Sequence, residues 1–291
     1  MSQVPVSNLK PLKKRKLGGT KFLSNNFGST APADLPPTLG RTFLTLPDQK
    51  DTEFCTAYGE AVSNGYKYSI PMSAPFQTAM ESRYLGLPIL QGADAQDSMD
   101  ATIAFSSLPT IVAPSYDLDN ETPAYIADWK NYVDMSAYTR PYFPGIPYKV
   151  DGEYDIFDNI RSALHQAYQV DKAVVKVFGH WYQSWNLQAL DPNNKGHIQT
   201  PADSPITLHR YTIIDWITDA SGVPYLVLAL TQGMNFGDRG HLYMNRSTCN
   251  AVFANLAQEG LGLYISKPAA LDLATTMAYM RVVFTRLMHV S

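Results

Sequence analysis

A change of pattern partway along the chain limits what it can fold into. As far as about residue 168 the apolar residues recur at helical spacing, and from Ala173 they come in short β-branched runs. Cys55 to Ser63 reads as a first helix, with Gly65 as its stop. A second helix is predicted from Ser73 to Leu85: Ser73 can cap it, Phe76, Met80 and Tyr84 share one stripe, and Gly86 with Pro88 ends it. Asp94 to Ser107 makes a third, with Met99 and Ile103 inward, and Tyr154 to Tyr168 a fourth along Ile156, Ile160 and Leu164. Strands are predicted at 173–178, 211–216, 225–230 and 241–244, with Asp219 to Gly222 as a turn between two of them. The C-terminal piece carries two more helical patterns, Ala251 to Gly260 and Ala269 to Leu287. Helices in front and sheet behind give an α+β chain of two lobes.

At 291 residues with 45% hydrophobic content, the chain can bury a large core. Its net charge of −3 gives no sign of a nucleic-acid binder. An anionic contact by the basic tail is the one exception: Lys10, Lys13, Lys14, Arg15, Lys16 and Lys21 precede any acid. That tail, 1–35, reads as a flexible solvated arm. No apolar core follows it, so it is not a signal peptide, and no run reaches the length of a membrane span. Residues 22–48, rich in Asn, Gly, Ser, Thr and Pro, read as an extended segment laid over the surface. Two cysteines cannot build a disulfide framework, which suits a cytoplasmic or virion-associated protein. The stretch 108–152, dense in Pro and Tyr, is too long for an ordinary connection and is expected to carry binding surface.

Chemistry concentrates at Cys55. A thiol at a helix start feels the positive end of the dipole, which favours the thiolate, and Glu60 in the first turns complements the same dipole. Gln49, six residues upstream, places a side-chain amide where an oxyanion could form. The competing reading is a buried structural cysteine. Cys249 has no His or Asp at ligand spacing and reads as structural; the remaining histidines show no metal-ligand spacing. Phosphate-loop, dinucleotide and Gly-x-Ser-x-Gly signatures are missing from the sequence.

Four pieces in order carry a resemblance to the papain-like (C1-type) cysteine peptidases, in particular disulfide-free bacterial and phage members. Gln49 with Cys55-Thr56-Ala57-Tyr58 is similar to the family's oxyanion glutamine and the start of its nucleophile helix. The stretch from Pro71 to Ala104 resembles the helical left lobe, with Gly92 near the substrate-strand glycine. His209 opens a strand, Leu208 to Ile214, similar to that of the catalytic histidine. Tyr225 to Gly233 and Phe236 to His241 resemble the strand and glycine turn that follow.

The resemblance implies a papain-like two-lobe fold over 36–250, a helical left lobe (about 50–150) and an antiparallel β-barrel-like right lobe (about 151–250) with a cleft between, then a C-terminal helical extension, 251–291. It also implies a peptidase acting on protein or peptide substrates through a Cys55 thiolate and His209 imidazolium, with Gln49 at the oxyanion, Gly92 on the substrate and no metal or cofactor. One departure stands out. The family's histidine-orienting Asn falls on Leu230, which cannot hydrogen-bond an imidazole, so Gln232 or Asn235 are the candidates to replace it. The alternative is a papain fold kept as a structural or interaction module, for example in a phage virion.

Overall fold

The computed structural model describes residues 31–50, 52–86, 93–113, 136–254, 256, 262–267 and scattered positions between 277 and 288. Gly92, the basic tail to residue 30, residues 114–135 of the 108–152 stretch and most of the Ala269 to Leu287 pattern lie outside the described residues.

Among the described residues three helices form the front lobe: α1 (Cys55–Tyr68), α2 (Ala74–Leu85) and α3 (Ala95–Phe105). The Ser73 hydroxyl accepts the Phe76 N–H at 3.2 Å to cap α2, and Gly86 closes it at φ 65°. Asp94 caps α3 through the Asp97 N–H at 2.8 Å. The first helix runs past its predicted stop. Gly65 lies inside it, close under Ile70, and the left-handed turn falls instead on Ser69 at φ 58°. A helical turn, α4 (Ser136–Thr139), leads to the sheet.

Among the described residues the sheet has seven strands: β1 (Ile146–Lys149), β2 (Val175–Trp181), β3 (His197–Ile198), β4 (Thr207–Thr218), β5 (Pro224–Ala229), β6 (His241–Asn245) and β7 (Gly262–Lys267). Between them stand α5 (Ile156–Asp171), α6 (Gln183–Leu190) and α7 (Arg246–Phe253). Strand order is β1-β7-β2-β4-β5-β6-β3. The pairing is antiparallel except between β3 and β6, and among the described residues β1 and β3 are the edges of an open sheet that does not close into a barrel. Beyond Asn250 the sequence predicted only helix; residues 262–267 instead enter the middle of the sheet as β7, with α7 beginning ahead of the predicted Ala251.

Alternation along the strands serves two cores. Val175, Val177, Ile213 and Leu228 face Phe157, Ile160 and Leu164 of α5. Val174, Ile214, Val227 and Ala229 face the other way, toward Val62 and Tyr66 of α1 and toward Leu46. The helical lobe therefore packs on the sheet through α1, the helix that begins at Cys55. The segment 35–47 crosses the sheet lobe in extended form. One carboxylate, Asp215, accepts from Thr38 Oγ1, the Leu39 N–H and the Arg41 N–H. The Trp216 indole donates to the Pro36 carbonyl at 2.8 Å. The mixed helix-and-sheet, two-lobe architecture is the α+β arrangement that the sequence predicted.

Candidate active site

Cys55 opens α1 with no side-chain cap on the helix, and its thiol faces β4. Only 6% of the residue is exposed. Burial pushes the thiol up to about 11, and the main-chain N–H of Arg210 facing the sulfur offsets only part of this. The sequence predicted the opposite shift. A helix terminus is worth about 0.3–1 kcal/mol, less than the 1.36 kcal/mol that moves a pKa by one unit, so desolvation decides the sign.

His209, the third residue of β4, stands opposite Gly179 of β2 and is 4% exposed. The Trp181 ring lies 5.0 Å from its imidazole. Burial, and then the charge of Arg210, push it down to about 3. The resting pair is thus an uncharged thiol and an uncharged imidazole, a correction to the ion pair that the resemblance implied. No hydrogen bond joins the two groups among the described residues; the main-chain N–H at the sulfur is that of Arg210, the residue after the histidine.

Gln49 is tied to the same place. Its N–H donates to the Thr231 carbonyl at 2.7 Å, its amide nitrogen to the Thr52 carbonyl at 3.2 Å, and its side-chain oxygen accepts from Thr231 Oγ1. That hydroxyl also stands 3.5 Å from His209 Nε2, but its proton goes to Gln49, so it borders the imidazole without donating to it. Gln232 Nε2 lies 2.9 Å from His209 Nε2, while its Oε1 accepts the Thr231 N–H at 3.1 Å. With the amide oxygen engaged there, the nitrogen donates to the ring, and the neutral imidazole carries its own proton on Nδ1. Of the two replacements for the missing Asn, Gln232 makes this contact, whereas Asn235 is exposed. Leu230, at the Asn position itself, is fully buried in the core with Trp181 and Tyr211.

Behind the thiol lies a polar cluster that the sequence did not announce. Glu60 is fully buried and pairs with Lys176 Nζ and with Arg210 Nη2 at 3.2 Å. Burial opposes its ionisation, but the two cations outweigh it and hold the carboxyl below the usual range. Glu60 thus binds the sheet rather than merely complementing the helix dipole. Glu81 accepts from Thr56 Oγ1 at 3.0 Å and from Ser98 Oγ. Burial pushes it up to about 8, so it is protonated at neutral pH. The available signal was a charged residue inside each β-branched run, Lys176 and Arg210.

Cys249 is fully buried in the sheet-lobe core, and both cysteines are free. His241 packs: Phe43 stacks on it at 3.9 Å and the Tyr66 hydroxyl meets its Nε2 at 2.6 Å. Among the described residues, no three His, Cys, Asp or Glu side chains gather at metal-binding spacing, and no helix is long and apolar enough to cross a membrane.

No protein-family model matches the chain, and no curated protein sequence does. Solved structures are similar in fold. Xylellain, a cysteine protease from Xylella fastidiosa, superposes with a TM-score of 0.65 at 17% identity, over 92% of this chain and 98% of its own. Digestive procathepsin L 3 of Tenebrio molitor gives 0.57 at 12%, over 90% and 77%. The proform of the ragweed pollen cysteine protease Amb a 11 gives 0.53 at 11%, over 83% and 67%. The fold of this chain is that of the papain-like cysteine proteases.

Proposed function

We propose that the chain is a cysteine peptidase in which Cys55 is the nucleophile, His209 its base and later acid, Gln49 an oxyanion donor, and Gln232 the group that orients the histidine. The observation that carries this reading is the 2.9 Å contact between Gln232 and His209, with Gln49 held alongside by Thr231. It supplies by another residue the support that Leu230 cannot give.

Because the resting pair is uncharged, the chemistry runs as general-base catalysis. Once Gln232 turns its amide oxygen to Nε2, the imidazole proton moves there and Nδ1 is free; as the Cys55 sulfur attacks a peptide carbonyl carbon, its proton passes to Nδ1 of His209. Negative charge gathers on the carbonyl oxygen, where the Gln49 amide, released from Thr52, and the Cys55 N–H donate. Each such donor is worth about 2.7–4 kcal/mol in comparable sites. The protonated His209 then gives its proton to the departing amine as the C–N bond breaks. Water, deprotonated by His209, cleaves the thioester and regenerates the thiol. An imidazolium donates from both nitrogens, so the Gln232 oxygen stays on Nε2 while His209 is charged. Gly92 remains the proposed contact for the substrate backbone.

The reading is tested by hydrolysis of a mixed-sequence peptide library. Cys55→Ala and His209→Ala abolish turnover, while Cys249→Ala retains it. Turnover surviving in Cys55→Ala, or none in the unaltered protein, overturns the assignment. In the latter case a second reading, a papain fold serving as an interaction module, takes its place. What favours it is the burial of the thiol and imidazole, which leaves both uncharged.

A further inference from the structure

Arg210 stands out among the groups that the chemistry above does not use. It is completely buried, on the strand that carries His209 and immediately after it. Its guanidinium crosses from the sheet to the nucleophile helix. Nη2 donates to Ser63 Oγ at 2.6 Å and to Glu60 Oε1 at 3.2 Å, both on α1. Nη1 turns back to its own strand, to the Tyr211 carbonyl and to Thr212 Oγ1 at 3.1 Å. The stem passes directly over Gly59, where a Cβ would lie 2.3 Å from Arg210 Cγ. Phe178 of β2 closes the other side, its ring centre 4.9 Å from Cζ. Ser63 Oγ also meets Thr212 Oγ1 at 2.9 Å, which tightens the same seam.

The charges do not cancel. Glu60 is a single carboxylate shared by two basic side chains, Lys176 and Arg210, so Arg210 has only part of one anion to balance it, and burial pushes both bases down. A buried charge without full compensation is costly to keep. This one acts on the thiol, where it favours the thiolate, and on His209, where it disfavours the imidazolium.

We propose that Arg210 is the positioning residue of the site: fixed to Glu60 and Ser63, it sets the register of the histidine strand on the nucleophile helix and places its guanidinium charge behind Cys55. This rests on the peptidase reading for its purpose, but not for its test. Arg210 touches no reacting atom with its side chain; it acts through the thiol.

The test follows alkylation of the full-length protein by iodoacetamide from pH 6 to 9, with Cys55 and Cys249 quantified separately. In the unaltered protein Cys55 labels much faster than Cys249. Arg210→Met keeps the bulk, removes the charge and leaves Glu60 paired with Lys176. It lowers the Cys55 rate at pH 7 about tenfold, as a rise of one unit in thiol pKa does. Cys249 stays slow, which reports an intact core. Arg210→Lys keeps the charge without the fork and falls between the two, about threefold below the unaltered protein. If Arg210→Met also exposes Cys249, the lysine variant decides, since its core is kept.

Unchanged Cys55 labelling in a folded variant, faster labelling, or Lys and Met behaving alike overturns the proposal, and so does a Cys55 as slow as Cys249 in the unaltered protein. Arg210-dependent labelling in a protein that hydrolyses no peptide sinks the peptidase reading and leaves this one standing.

Discussion

Lowering the pH is expected to loosen this fold through one identifiable residue, His209. Its imidazole is neutral in the folded protein, where burial pushes it from 6.5 down to about 3. An unfolded chain takes up that proton near 6.5. Between those values the unfolded state binds more protons, so the stability this residue contributes is complete above about 6.5 and is lost as pH falls toward 3. At 1.36 kcal/mol per pH unit, the loss is about 3 kcal/mol by pH 4, a large share of the roughly 5–15 kcal/mol that holds a domain together. Glu81 works the other way: raised to about 8, it gives its full contribution below about 4.5 and loses it as pH rises through 8. His241, pushed down to about 4 mainly by burial, adds to the acid loss. Both are common to the unaltered protein and to His209→Gln, and so cancel between them. Urea unfolding followed by tryptophan fluorescence at pH 7 and pH 4 is the assay. The unaltered protein should lose about 3 kcal/mol more than His209→Gln over that interval. Parallel losses would refute the buried, neutral histidine and the general-base chemistry built on it.

Two further outcomes follow from named contacts. Gln232→Ala removes the partner of His209 Nε2; peptide turnover should fall about ten- to a hundredfold in kcat with KM little changed, as when an interaction made only in the transition state is lost. Equal kcat would remove Gln232 from the site. Asp215→Ala strips the acceptor from Thr38, Leu39 and Arg41. At about 1.5–3 kcal/mol for each hydrogen bond to a charged group, it should cost at least about 3 kcal/mol and open residues 36–46 to limited proteolysis, whereas an unchanged cleavage pattern would show the segment held by other contacts.

How much of this could be read from the sequence depended on whether the signal was local. The cap at Ser73 and the stop at Gly86 bracketed α2 because both act within a few residues. The β-branched runs at β2, β4, β5 and β6 were equally plain. Strand β7 was not, since its short run between helical patterns forms a strand only where β1 and β2 leave a gap for it. Strand β1 contains Pro147, tolerable because the strand is an edge, a fact that topology alone supplies. At the site, helix position and spacing picked out Cys55 and Gln49, and the family resemblance pointed to His209 and, as one of two replacements, Gln232. Ionisation was beyond it. Burial sets the sign for Cys55 and His209, and burial is a property of the assembled lobes. For the same reason Arg210 and Lys176 read as ordinary strand residues, although their partner Glu60 lies on a helix far behind them in the chain.

The place of β7 has a consequence for biogenesis. On the ribosome β1 and β2 emerge long before the piece that separates them, with their facing backbone N–H and C=O groups unmatched. They must wait without joining each other, for a direct union would shut out the late arrival. The rear lobe therefore completes itself only after residues 262–267 have emerged. Any nascent or truncated chain ending before Gly262 would display two adhesive rims, open to chaperones and to neighbouring copies alike.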